Sequence, residues 1–111
     1  MSNSKNKFTS EYYICGWKQF IEECEDGYGW DYGEYINELS IRNGIEYYMQ
    51  KKNDEEFEAK IRKLDEEFKS LLIPGASLKK YNSWWENGVL KYAGEGYAQF
   101  MKHNGFDVEI V

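Results

Sequence analysis

The residue types able to carry catalysis are sparse in this chain. There is one histidine, His103, and two cysteines, Cys15 and Cys24. A general base or nucleophile works through a neighbour that orients it or exchanges its proton, and a sequence alone shows no such neighbour for His103. It precedes Asn104-Gly105 at an expected helix end, where an imidazole is favoured by the helix dipole, so a structural role is expected. Cys15 and Cys24 fall in one helical stretch. At about 100° and 1.5 Å per residue they lie on opposite faces, about 13 Å apart. A disulfide needs Cα atoms within about 7 Å, so both thiols are expected free. No Cys-x-x-Cys or His-x-x-x-His spacing occurs, and no metal or cofactor is expected. Gly94-Glu95-Gly96 lacks the third glycine, the Lys-Ser/Thr and the preceding strand of a phosphate loop. The twenty acidic residues could include a catalytic carboxylate pair, but no spacing singles one out. The expectation is a protein that is not an enzyme.

Charge patterning offers a different chemistry. Between Gln19 and Ile41 lie Glu22, Glu23, Glu25, Asp26, Asp31, Glu34 and Glu38, with no Lys or Arg. That window alone holds −7 against −6 for the whole chain, so the remaining residues sum to +1. Interleaved are Tyr28, Trp30, Tyr32 and Tyr35, on a loop whose three glycines, Gly27, Gly29 and Gly33, hold it open. Carboxylates steer a basic partner, and aromatic side chains are the desolvated anchors where interface energy concentrates. The candidate partner-binding set is therefore Glu22, Glu23, Glu25, Asp26, Tyr28, Trp30, Asp31, Tyr32, Glu34 and Tyr35. A plainer alternative stands beside it: the aromatics fold onto the core and the acids solvate one end of the molecule. The same question attaches to Tyr12-Tyr13, Tyr47-Tyr48 and Trp84-Trp85. Adjacent helical residues diverge by about 100°, so one ring of each pair should be buried and its neighbour half exposed.

Periodicity supplies the elements that must position these groups. Tyr13, Ile14, Trp17, Phe20, Ile21 and Cys24 form the stripe of an amphipathic helix, with Thr9 or Ser10 as cap and Phe8 as a hydrophobic staple. Residues 1–7 are polar and expected to fray. After the glycine-rich loop, a helix is expected over 34–52, with a break near Ser40 because Asn43-Gly44 weakens it. Asn53 with Glu56 matches a capping box. It opens a helix whose buried face is Phe57, Ile61, Leu64, Phe68, Leu71 and Leu72. Its outer face pairs Glu56 with Lys60, Glu58 with Arg62 and Asp65 with Lys69, and Pro74-Gly75 stops it. Ser83 can cap a further helix-like stretch reaching His103, weakened by Gly88, Gly94 and Gly96. The tail 106–111 alternates apolar and polar residues as a short strand would, and would need a partner in the aromatic loop or a second copy.

A chain of 111 residues is one domain by size. The expected fold is mainly α: a compact four-helix domain with an irregular aromatic, glycine-rich loop and a short C-terminal strand. The acidic balance argues against direct nucleic-acid binding, which needs clustered Lys and Arg. Free thiols, no apolar leader within Met1–Ser10 and no long apolar run point to a cytoplasmic protein away from membranes. In the acidic stretch from Glu22 to Glu38, and in Tyr47-Tyr48, the sequence resembles the small acidic helical immunity proteins that neutralise bacterial nuclease toxins. The likeness lies in size, charge and helical pattern. It implies a four-helix inhibitor whose acidic helix and tyrosine pair meet a basic nuclease domain. A nucleic-acid mimic facing a DNA-binding protein would use the same features. The alternative is a structural or self-associating helical protein, a homodimer for example.

Overall fold

The computed structural model of the chain describes residues 9–111, so the fraying expected of residues 1–7 and the staple expected of Phe8 lie outside the described residues. Helix α1, Ser10–Glu25, starts where Thr9 Oγ1 accepts the Tyr12 N–H at 3.2 Å. It buries Trp17, Phe20, Ile21 and Cys24 as its stripe requires. The break expected near Ser40 is present and divides the stretch into two helices, α2 (Tyr32–Leu39) and α3 (Ile41–Lys51). Asp31 Oδ1 accepts the Glu34 N–H at 2.9 Å, which starts α2 earlier than periodicity suggests. Gly44 stays inside α3 because a Cβ there would stand 2.9 Å from Tyr13 Cε1, so its absence lets α3 lie close on α1.

Helix α4, Glu55–Lys69, is capped one residue later than expected. Asp54, not Asn53, accepts the Phe57 N–H, at 3.1 Å. It also ends before Leu71 and Leu72. The chain beyond it is claimed by a backbone pairing: Ile73 N–H donates to Val89 O and Lys91 N–H to Leu71 O, both at 2.8 Å, around an antiparallel bridge between Leu72 and Leu90.

That pairing also overturns the single helix expected up to His103. A short α5 (Trp84–Asn87) gives way to extended chain and β1 (Tyr92–Ala93), and α6 runs Glu95–His103. The buried Leu90 N–H bonds to Tyr97 Oη at 3.0 Å instead of to a helical carbonyl. The tail does form a strand, β2 (Glu109–Ile110). Its partner is neither the aromatic loop nor a second copy but β1, in parallel, with Tyr92 opposite Glu109 and Ala93 opposite Ile110. The architecture is mainly helical, with this one two-stranded sheet among the described residues.

Helix α1 packs on α3 and α4, and α2 on α6. Between them Phe20 lies 5.5 to 6.0 Å, ring to ring, from Tyr35, Tyr28, Trp17 and Phe68. A polar knot crosses this apolar interior. Arg42 is buried and forks onto both Asp65 oxygens, Nε at 2.9 Å and Nη2 at 2.7 Å, while Nη1 reaches Glu46 at 2.9 Å. Trp17 Nε1 donates to Asp65 Oδ1 at 3.0 Å, and the guanidinium lies 4.3 Å from the Trp85 ring centroid. The exposed pairing of Asp65 with Lys69 is thereby corrected: Asp65 faces inward, and Lys69 pairs with Glu66 at 3.5 Å. Glu56 does meet Lys60, at 3.6 Å, whereas no ion pair joins Glu58 to Arg62.

Gly94 fastens the sheet to the loop before α2. Its N–H donates to Tyr28 O at 2.7 Å, and a Cβ on it would stand 2.9 Å from that same oxygen. Backbone on both sides leaves nothing flexible to yield. Gly94→Ala is expected to cost about 1–3 kcal/mol as an overpacking strain, read as a lower urea midpoint. Gly29→Ala, with open space around its Cβ, should leave the midpoint nearly unchanged.

Candidate functional site

The loop between α1 and α2 sorts its aromatics by position. Tyr28 is buried, and its hydroxyl donates to Glu38 Oε1 at 2.9 Å. Tyr35 is wholly buried among Phe20, Tyr28 and Tyr97. Tyr32 is half-buried, its ring stacked 3.9 Å from Phe100 and its hydroxyl 3.0 Å from that of Tyr81. Three of the four expected aromatic anchors thus pack inward, Tyr28 and Tyr35 completely, which favours the plainer reading for them. Trp30 goes the other way and keeps 63% of its surface exposed. In the paired aromatics, Trp85 is buried and Trp84 half-buried, while Tyr12 and Tyr47 are more exposed than Tyr13 and Tyr48.

The acids also divide. Asp31, Glu34 and Glu38 follow one another at helical spacing along α2 and, with Trp30, line a depression of about 300 Å³. Glu38 reappears beside Glu23, Gly16 and Ile41 in a second depression of about 240 Å³ between α1 and α2. It reappears again beside Asn37, Ser40 and Tyr12 in a third of about 340 Å³. Glu38 is common to all three, and the surface around it, called the groove below, carries Glu23, Trp30, Asp31 and Glu34. Glu22, Glu25 and Asp26 are exposed but do not line it. On α1, Glu22 turns about 100° and Glu25 about 160° away from Glu23, and the Glu25 carbonyl instead accepts the Tyr92 hydroxyl at 2.7 Å.

No cation of the described residues neutralises this groove. The four ion pairs among the described residues use Glu46, Asp65, Glu56 and Glu66, none of them an acid of the window. The groove's field is felt inside. Burial first, then Glu38 and Glu34, push the Tyr28 hydroxyl above the usual phenol range. Burial, then Glu23, Glu38 and Glu25, push the Cys24 thiol up likewise. Such a surface can attract and orient positive charge. Cys15 is exposed and Cys24 buried, both free, and His103 Nδ1 rests 2.8 Å from Gln99 O in the last turn of α6. Among the described residues no three His, Cys, Asp or Glu side chains converge as metal ligands, and no helix is long and apolar enough to cross a membrane.

Known proteins add nothing to this geometry. Comparison with protein families, characterised proteins and solved structures found no match. The groove's central residue, Glu38, belongs to the acidic window but not to the partner-binding set named from sequence. Its spacing of four from Glu34 on one helix is the signal that would have included it.

Proposed function

We propose that this protein is a non-catalytic binding module of the inhibitor or immunity kind, which meets a basic protein through the groove of Glu23, Trp30, Asp31, Glu34 and Glu38. The observation that supports it is the collection of unneutralised carboxylates around an exposed tryptophan, on a surface with no cation of its own. Binding by occlusion and charge complementarity needs no turnover, and free thiols suit a reducing cytoplasm. Affinity capture from the host's lysate tests the reading. A basic protein recovered near one-to-one at low salt and lost at high salt is expected. Glu23→Lys together with Glu34→Lys, both on exposed side chains, should slow its association at least about tenfold and flatten the salt dependence. Association unchanged by both substitutions would refute it.

A second reading rests on the open side of β2, where Ile110 and Val111 are 45% and 64% exposed. An unpaired strand edge with apolar side chains is a template for a second chain. Sedimentation across a wide concentration range separates the two: a dimer broken by Ile110→Lys favours self-association, and a monomer throughout removes it.

A further inference from the structure

The exposure of Trp30 is not the looseness of a mobile loop. Tyr28, two residues before it, is buried and tied through its carbonyl to the Gly94 N–H at 2.7 Å. Asp31, the next residue, caps α2 through the Glu34 N–H at 2.9 Å. The start of α6 is packed against this backbone so tightly that a Cβ on Gly96 would lie 3.3 Å from Asp31 Cα. The indole is held in solvent by a fixed frame beside a depression of about 300 Å³ whose other walls are Asp31, Glu34 and Glu38. We infer that this depression receives one arginine side chain from the partner protein, a reading that rests on the basic-partner function proposed above.

The chemistry selects arginine over lysine. A guanidinium is planar and weakly hydrated, stacks on an indole face and forks onto carboxylates. An ammonium is a compact, strongly hydrated point charge that gains chiefly from the field. The depression offers an aromatic face and carboxylates from successive turns of one helix, which is the pair of surfaces a guanidinium uses at once. The chain itself stacks a guanidinium in this way: Arg42 lies 4.3 Å from the Trp85 ring while forking onto Asp65.

The test titrates the whole protein with two unstructured peptides of equal charge and length, alternating Arg-Gly and alternating Lys-Gly, at physiological salt. The indole N–H resonance of Trp30 is followed by NMR and assigned with Trp30→Phe. The Arg peptide is expected to shift that resonance saturably and to bind about threefold to tenfold tighter than the Lys peptide. Trp30→Ala, an exposed position, should abolish the preference while leaving the circular dichroism unchanged. Equal binding of the two peptides, or a preference that survives Trp30→Ala, would overturn the arginine pocket, as would a failure of both to bind. Should the pocket fail in this way while Glu23→Lys with Glu34→Lys still weakens the captured partner, the acidic-groove function stands without it.

Discussion

Arg42→Ala is expected to destabilise the protein by about 3–5 kcal/mol, a large fraction of the usual stability of a domain. The change does more than delete contacts. It leaves the Asp65 carboxylate in the interior with only the Trp17 indole N–H on it, and an uncompensated buried charge costs far more than the pair it belonged to contributes. Asp65→Ala should also be costly but less so, since the guanidinium loses its two-pronged partner yet keeps Glu46 at 2.9 Å and the Trp85 ring. Arg42→Lys should recover little, because an ammonium cannot reproduce the two-pronged contact at 2.9 and 2.7 Å. Replacing both partners together, Arg42→Met with Asp65→Leu, should return much of the loss, because no buried charge is then left unpaired and Glu46 is open to water. Urea denaturation of the four variants decides the matter. A loss under about 1 kcal/mol for Arg42→Ala would mean the knot is as solvated as the surface pair Lys60–Glu56, for which that is the usual ceiling.

The second large effect is a collapse at alkaline pH. Burial holds the Tyr35 and Tyr97 hydroxyls above the ordinary phenol value of about 10, and Tyr35 is further raised by Tyr97. Cys24 is held above the thiol value of about 9. The folded state keeps these protons where the unfolded chain gives them up, so the unfolded state binds fewer protons and stability falls as pH rises. Below about pH 9 the contribution is intact. Above about pH 10, each group that ionises only on unfolding removes about 1.4 kcal/mol per pH unit, so Tyr35 and Tyr97 together remove about 3. A domain with the usual 5–15 kcal/mol is expected to unfold cooperatively within about two to three pH units above that onset. The buried tyrosines should show phenolate absorbance only as circular dichroism is lost. Absorbance rising smoothly for all ten tyrosines near pH 10, with the helical signal intact, would sink the expectation.

These effects depend on residues the sequence disclosed unevenly. The stripes of α1 and α4 are legible because 3.6-residue periodicity is a property of the local chain, and Trp17, Phe20, Phe57 and Ile61 fall where it puts them. The knot is not legible in that way. Asp65 and Lys69 stand at the spacing of a surface pair whether Asp65 faces water or the core, and only the approach of α3 turns it to Arg42. The stretch from Val89 to Met101 carries helical spacing, yet its first part is extended, because the backbone at Val89 and Lys91 is bound to residues just after α4. In the loop, Tyr28 and Trp30 are similar residues two positions apart, and nothing local says which is the core residue. Tertiary hydrogen bonds to Gly94 and Glu38 make that distinction, so the candidate groove could be outlined from charge but not resolved into members.

The tie between Tyr28 and Gly94 has a consequence for biosynthesis. The acidic window is translated before Gly94, the residue that fixes its loop. Helix α1 can coil early, whereas Trp30 reaches its presented position only after Gly94 and the start of α6 have emerged and the long loop between them has closed. A stalled nascent chain lacking that segment would display the same carboxylates without the frame that aims them. The presented position of Trp30 is thus confined to chains in which Gly94 and the start of α6 are already made.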